Sequence, residues 1–450
     1  MMENSLERKL GLFPATNIVI ANMIGAGIFT TSGLLMSGLN NPALMLILWA
    51  AGGIIALCGA FSYGELGAAM PGAGGEYLFL SKLYHPVFGF LSGWVSFIVG
   101  FSAPIAASAL GFSEYFTRAL PGMSLWLQNT GIMQPDLAKK LLAVIIILIF
   151  TYIHYRGIKY GARIQNVLTF LKVLLIVILL TAGFSSGNGD FSNFSKGGNT
   201  TPGLAGWKTM GLSLMWIMFA YSGWNASTYL GAEIRNPVKI LPRSLLYGTG
   251  IVIILYLGIN LLYIYGINPE EMKGVISVGG LAMGNLFGKP AEVLFSVLIA
   301  FALFSSLSAF IIIGPRVYFS MAKDGLFFRS VATIHPRFHV PSNSILLQGL
   351  IAIILALSGT FEQVLTYMGF ALGIFPLLTV AGVFKLRKTN TDAIKLKGFP
   401  VTQLIYLLSG TLILFLSFLE RPMESSVAIM TVLAGIPAFY FFKNRGKDQG

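Results

Sequence analysis

The chain has 450 residues, of which 55% are hydrophobic, 13% aromatic and only 10% charged, with a mean hydropathy of +0.76. A soluble domain carries about 25% charged residues, so this composition excludes a water-soluble fold, a disordered chain and, despite the net charge of +13, a soluble nucleic-acid binder. A positive excess of this kind fits the cytoplasmic loops of a multi-pass membrane protein.

A membrane-crossing helix takes about 20 predominantly apolar residues, and such stretches predict about twelve spans. Span 1, at 12–37, follows Glu7, Arg8 and Lys9; no small-residue cleavage pattern closes a short apolar core, so it reads as a span and not as a signal peptide. Near its middle lies Asn22-Met-Ile-Gly25-Ala26-Gly27-Ile-Phe29. Span 2 (42–70) carries the single Cys58, which leaves no disulfide framework. Late in the same span stands Glu65, for which a structural partner in the loop and a proton relay are both open. Spans 3 and 4 follow at 86–117 and 139–155. Span 5 (161–184) holds Lys172 about eleven residues in, about 16 Å at 1.5 Å per residue. That depth is too great for the side chain to snorkel out, so its ammonium should face a polar cavity or carbonyls.

The loop at about 185–206 is rich in Gly, Ser and Asn and contains glycosylation sequons at Asn193 and Asn199. Span 6 (206–232) contains Phe219-Ala-Tyr-Ser222-Gly-Trp-Asn225 near its middle and ends at Glu233 beside Arg235, which reads as a salt bridge at a cytoplasmic gate. Spans 7 and 8 fall at 243–266 and 291–321, with Ser305, Ser306 and Ser308 clustered in span 8. His335-Pro-Arg-Phe-His339 has a ligand-like spacing, but its proline and basic loop setting argue against a metal site. Spans 9 to 12 are expected at 342–358, 362–385, 400–419 and 424–442. No phosphate loop, dinucleotide fingerprint or local nucleophile set is present, so neither a cofactor nor an enzyme activity is expected.

An even number of spans puts both termini on one side. That side carries 21 of the 30 Lys and Arg residues and the opposite side 8, with Lys172 inside a span. The asymmetry predicts cytoplasmic termini and a plasma (cytoplasmic) membrane location.

In hydrocarbon an unsatisfied backbone group costs several kcal/mol, so irregular backbone survives only where it lines a cavity or binds something. Glycines in spans also serve close helix packing, and either segment alone could be that. Together they occupy the first span of each five-span block (1–5 and 6–10), and interrupted spans at matching positions of two halves point to a transporter site built from inverted repeats. Freed N–H groups at a half-helix N-terminus bind an anion, and freed carbonyls bind a cation or ammonium. The pair suits a zwitterion, and an amino acid is the obvious one.

Gly25-Ala-Gly-Ile-Phe29, Gly64-Glu-Leu-Gly67 with Pro71-Gly-Ala-Gly-Gly-Glu-Tyr77, the span 6 segment, Glu233-Ile-Arg-Asn-Pro237 with Leu241-Pro242, and Pro315-Arg316 with Ala322-Lys-Asp-Gly325 resemble the amino acid–polyamine–organocation superfamily. The likeness is nearest to its L-type amino acid transporters and bacterial serine/threonine exchangers, and it runs from about residue 10 to 345. It implies that a substrate carboxylate meets the amides of Gly25, Ala26 and Gly27, and that the ammonium meets carbonyls of Met23, Phe219 and Ser222, with the Phe219 ring as a gate. It implies that Lys172 takes the place of a sodium ion between spans 1 and 8, as an ion mimic or a proton carrier, and that Val99, Gly100, Pro104 and Ser308 form pocket walls. Ala26 and Ser222 stand where many relatives have Ser and Gly; the second change narrows the pocket and favours smaller substrates. No acid falls in the expected central pocket, which favours neutral over cationic amino acids.

The expected architecture is an all-α membrane protein: a ten-helix core at 1–385, with repeats at about 10–185 and 206–385, and two peripheral helices with a tail at 386–450. The expected function is amino acid transport by exchange or proton coupling. A sodium symporter, a cationic amino acid transporter and a non-transporting receptor are the alternatives. Beyond the substrate and the bilayer no obligatory protein partner is expected, because relatives with a heavy subunit join it through an external cysteine and this chain offers none.

Overall fold

The computed structural model describes residues 8–72, 74–122, 133–156, 161–198, 202–338, 340–390 and 394–447. Its regular elements are all helical apart from one bridge between Leu10 and Ile234. Ten helices are long and apolar enough to cross a membrane. They are span 1 (Leu12–Leu39), span 2 (Pro42–Ala69), span 3 (Pro86–Ala119), span 4 (Pro135–Tyr155), span 5 (within Gly161–Ser185), span 7 (Pro237–Gly266), span 8 (Lys289–Lys323), span 10 (Phe361–Thr389), span 11 (Val401–Glu420) and span 12 (within Pro422–Lys447). Expected spans 6 and 9 correspond to the shorter helices Gly203–Ala220 and Ser342–Ser358. The chain is an all-α, multi-pass membrane protein.

Local chemistry sets the helix starts. Pro42, Pro86, Pro135 and Pro237 sit in first turns, where the missing N–H has no intrahelical partner to lose. Asn41 caps span 2 by accepting from the Leu44 amide at 2.9 Å, and Thr360 with Gln363 forms a capping box on span 10.

Two spans break. Span 1 is helical over Leu12–Met23, passes through extended Ile24 and Gly25, and resumes over Ala26–Leu39. Span 6 departs from the expectation of a helix on both sides of its break: past Ala220 the chain makes turns and one 3-10 turn, Ala226–Tyr229, before span 7 starts at Pro237. The cause is local. Gly223 adopts φ +96°, outside the helical region, and a Cβ on Gly231 would stand 2.6 Å from the Gly72 carbonyl, so this stretch folds against the loop after span 2. Span 3 bends through a π-turn at Ser96–Gly100, where the Phe101 amide reaches back to the Ser96 carbonyl at 3.0 Å. Such turns are frequent at functional sites.

Burial sorts the helices into centre and rim. In span 1, 89% of the apolar stretch is buried, against 22% in span 4 and 28% in each of spans 11 and 12, so the broken helix is central and the others face lipid. The second half of span 1 packs on span 6, span 2 on span 7, span 3 on span 8 and span 4 on span 9. Asn193, the first sequon, is buried: its amide donates to the Ile264 and Ile267 carbonyls at 3.1 and 3.3 Å, so it is a structural residue and not an open acceptor for sugar. Asn199 and His339 lie outside the described residues.

Candidate binding site between the helix breaks

The two breaks touch. A Cβ on Gly223 would stand 2.8 Å from the Asn22 backbone, and one on Gly27 would stand 2.5 Å from the Ala220 Cα, so both glycines are needed for the close approach. Beside this contact is a small cavity that brings together Met23, Gly25, Ala26, Gly27, Phe219 and Ser222. Asn22, Pro104, Ser108, Ala220 and Phe310 complete its wall. A second, larger cavity adjoins it, sharing Asn22, Phe219, Ser222 and Phe310 and reaching Glu76, Trp224 and Tyr229 beyond. Phe219, 8% exposed, stands at the junction.

Backbone groups supply the polarity of the smaller cavity. The first amides of an α-helix have no intrahelical partner, and no side chain caps Ala26–Leu39, so this end offers N–H groups and the positive pole of a helix dipole to an anion. On the other side, the Met23 carbonyl accepts from the Tyr256 hydroxyl at 2.6 Å and the Phe219 carbonyl from the Ser222 amide at 2.8 Å. Each already accepts one bond, because a helix end pairs its carbonyls wherever a donor is near, and each has a second lone pair left for an ammonium.

Lys172 lies fully buried at the first break. Its Nζ donates to the Ile24 carbonyl at 2.5 Å and to Ser306 Oγ at 2.9 Å, and the Ala21 carbonyl is 3.5 Å away. Ser306 also donates to the Ile24 carbonyl at 3.1 Å. The ammonium thus joins span 5 to the unwound turn of span 1 and to span 8.

Tyr256, on span 7, was not singled out from sequence. Its hydroxyl bonds the Met23 carbonyl at 2.6 Å and the Ala220 carbonyl at 3.0 Å, one at each break. Replacing it with phenylalanine leaves buried acceptors without this donor, at about 1–3 kcal/mol. The Tyr256→Phe variant should lose about tenfold or more in apparent substrate affinity, measured from the concentration dependence of counterflow into proteoliposomes.

Several expected residues lie elsewhere. Ser308 is not in the cavity; its Oγ is 3.1 Å from His154 Nε2 of span 4. Helical phase is the reason: each residue turns about 100°, so Ser306 and Phe310, four apart, share the face toward span 1, while Ser308 between them points away. Among pocket walls implied for span 3, Pro104 lines the smaller cavity and Gly100 the larger, whereas Val99 is buried and lines neither. The side chains of Glu233 and Arg235 form no ion pair with each other among the described residues. Their backbones hold Leu10 instead, through its amide to the Glu233 carbonyl and its carbonyl to the Arg235 amide, both at 2.9 Å. Arg235 is exposed, where an ion pair contributes only about 0–1 kcal/mol and nothing fixes its geometry. Glu65, buried, accepts both arms of Arg387 at 2.6 and 2.7 Å and the Leu396 amide at 3.0 Å, a structural clamp across the loop before span 11.

One acid reaches the adjoining larger cavity, although none among the described residues lines the smaller one. Glu76 lies outside the membrane-crossing helices, at the start of the short helix Glu76–Leu83, and lines the larger cavity. It accepts from Tyr63 Oη at 2.6 Å, Asn225 Nδ2 at 3.0 Å and Ser92 Oγ at 3.4 Å. These partners come from three separate spans, which no local motif could announce.

The sequence itself matches a known family. The family model for amino acid permeases matches residues 10–439. The chain is similar to the serine/threonine exchanger SteT of Bacillus subtilis, 28% identical with 98% of each chain covered. It is also 28% identical to the b(0,+)-type amino acid transporter 1 of Mus musculus, over 97% of this chain and 88% of that one. The large neutral amino acids transporter small subunit 2 of the same animal is 26% identical, over 97% and 81%.

Proposed function

Because the chain belongs to the amino acid permease family, and so is an amino acid transporter and not an enzyme, we propose that it carries neutral amino acids of small to medium size, bound as zwitterions between the breaks of spans 1 and 6, by exchange or proton coupling. The observation that carries this reading is the pairing of an uncapped helix N-terminus with helix-end carbonyls around one small cavity in the central broken helix. A carboxylate and an ammonium can both be met there by backbone, so the substrate's own side chain need carry no charge. The described residues lining that cavity include no charged group, which supports neutral substrates.

Lys172 Nζ joins the carbonyls of span 1 to a hydroxyl of span 8, where a sodium ion would otherwise be held; this supports a sodium-independent mechanism. The packing of span 2 on 7, 3 on 8 and 4 on 9 is what two repeats related by a pseudo-two-fold axis would produce, and it supports repeats at about 10–185 and 206–385 with 386–450 peripheral. In this reading both termini are cytoplasmic, in the cytoplasmic membrane, by the Lys/Arg asymmetry. No disulfide-linked subunit is needed, since Cys58 is buried within span 2.

The test is a competition screen of the twenty amino acids in proteoliposomes preloaded with substrate, run with and without sodium and a pH gradient. Accelerated uptake of a neutral amino acid without sodium is the expected result, and the absence of counterflow for every amino acid would defeat it. Ser222 lines both cavities, so Ser222→Gly should open the pocket and shift preference toward larger side chains by up to about tenfold. The same screen reads this as a reordered substrate series.

A further inference from the structure

Glu76 is a buried acid with neutral partners only. Tyr63 from span 2 and Asn225 from the non-helical part of span 6 both donate to Oε1, at 2.6 and 3.0 Å, while Oε2 has Ser92 of span 3 at 3.4 Å. The titratable groups that face it are the phenols of Tyr63, of Tyr229 in span 6 and of Tyr406 in span 11, uncharged near neutral pH. Among the described residues, no Lys, Arg or His lies within ion-pair distance. The carboxyl borders the larger cavity, which gives it a route to water.

We infer that Glu76 is a proton-binding site whose occupancy sets how firmly the span 6 segment is held to the fixed helices around it. Ionised, the carboxylate accepts charge-assisted bonds from Asn225 and Tyr63. When a proton from the cavity adds to Oε2, that oxygen becomes a donor to Ser92 Oγ and Oε1 becomes a neutral acceptor. Hydrogen bonds to a neutral group are about half as strong as charge-assisted ones, so protonation loosens Asn225, and with it the turn that begins at Gly223. Burial pushes the carboxyl up to about 7, against the lowering effect of its three donors, so the change falls in the physiological range. This inference rests on the transport reading above and identifies a proton site for it.

The experiment measures counterflow with equal pH on both sides, from about pH 5.5 to about pH 8.5, in wild type and in Glu76→Gln. Wild type should run severalfold faster on the acid side, with an inflection near neutrality. The variant should be flat and close to the acid limb. Infrared titration of the carboxyl C=O band gives a readout that needs no substrate: wild type minus variant should show a carboxyl that titrates near neutral pH. Tyr63→Phe and Ser92→Ala, each removing a donor to the carboxylate, should move the inflection and the band to higher pH, and they decide the matter if the Gln protein does not fold. An unchanged pH profile in Glu76→Gln would assign titration to another group, such as Lys172 or His154, and overturn the inference. A difference spectrum without a titrating carboxyl, or inflections unmoved in both donor variants, would overturn it as well. A titrating band without counterflow of any amino acid would instead keep the proton site and defeat the transport reading.

Discussion

Lys172→Ala should lower amino acid counterflow by about tenfold or more while the protein still inserts and purifies as a folded species. The ammonium supplies donors to the Ile24 carbonyl, to Ser306 and toward the Ala21 carbonyl, with the whole side chain out of water. Truncation leaves Ser306 as the remaining donor to Ile24 and opens a void where the stem ran. A buried group that loses its partner costs about 1–3 kcal/mol, and 1.4 kcal/mol is a factor of ten. The penalty falls on the unwound turn of span 1, so it should show in transport more than in global stability. Size-exclusion profiles together with counterflow rates separate the two, and wild-type rates in the variant would remove Lys172 from the mechanism.

Gly223→Ala is expected to be as severe for a different reason. A residue with a Cβ at φ +96° costs about 1–2 kcal/mol in backbone strain alone. The new methyl would also lie 2.8 Å from the carbonyl carbon of Asn22, and the backbone of the first break cannot rotate aside as a side chain could. The two breaks must separate, and the amides and carbonyls around the cavity lose their spacing. Substrate-dependent thermal stabilisation should fall by about tenfold or more in apparent affinity. Gly250→Ala is the control, because nothing stands within 4 Å of its Cβ position in the helix of span 7. Equal behaviour of the two variants would show that the contact between the breaks is unimportant.

Composition and apolar run length place the helices, because a bilayer imposes a length that sequence reports directly. The breaks are legible for a related reason: Gly25, and Gly223 in span 6, interrupt runs that hydrocarbon would otherwise keep helical. Lys172 is legible from depth alone, since no stem of its length reaches the interface. What fails is anything that depends on helical phase or on partners far apart in the chain. The serine cluster of span 8 is visible, but not which serine faces span 1; Ser306 and Ser308 differ by a rotation that the amino acid types do not encode. Glu76 reads as part of a glycine-rich motif until Tyr63, Ser92 and Asn225 converge on it. Ser96-Phe-Ile-Val-Gly100 carries no signature of a π-turn, and the hydroxyl of Tyr256 has no local reason to be remarked.

That hydroxyl has a single hydrogen and two oxygens within reach, at Met23 and Ala220. It can donate fully to only one of them at a time. A guest that brings its own protons, as any primary amine in its charged form does, can take over whichever oxygen the phenol leaves. In the proposed binding mode, an ammonium held by either oxygen would draw spans 1, 6 and 7 onto the same small cation.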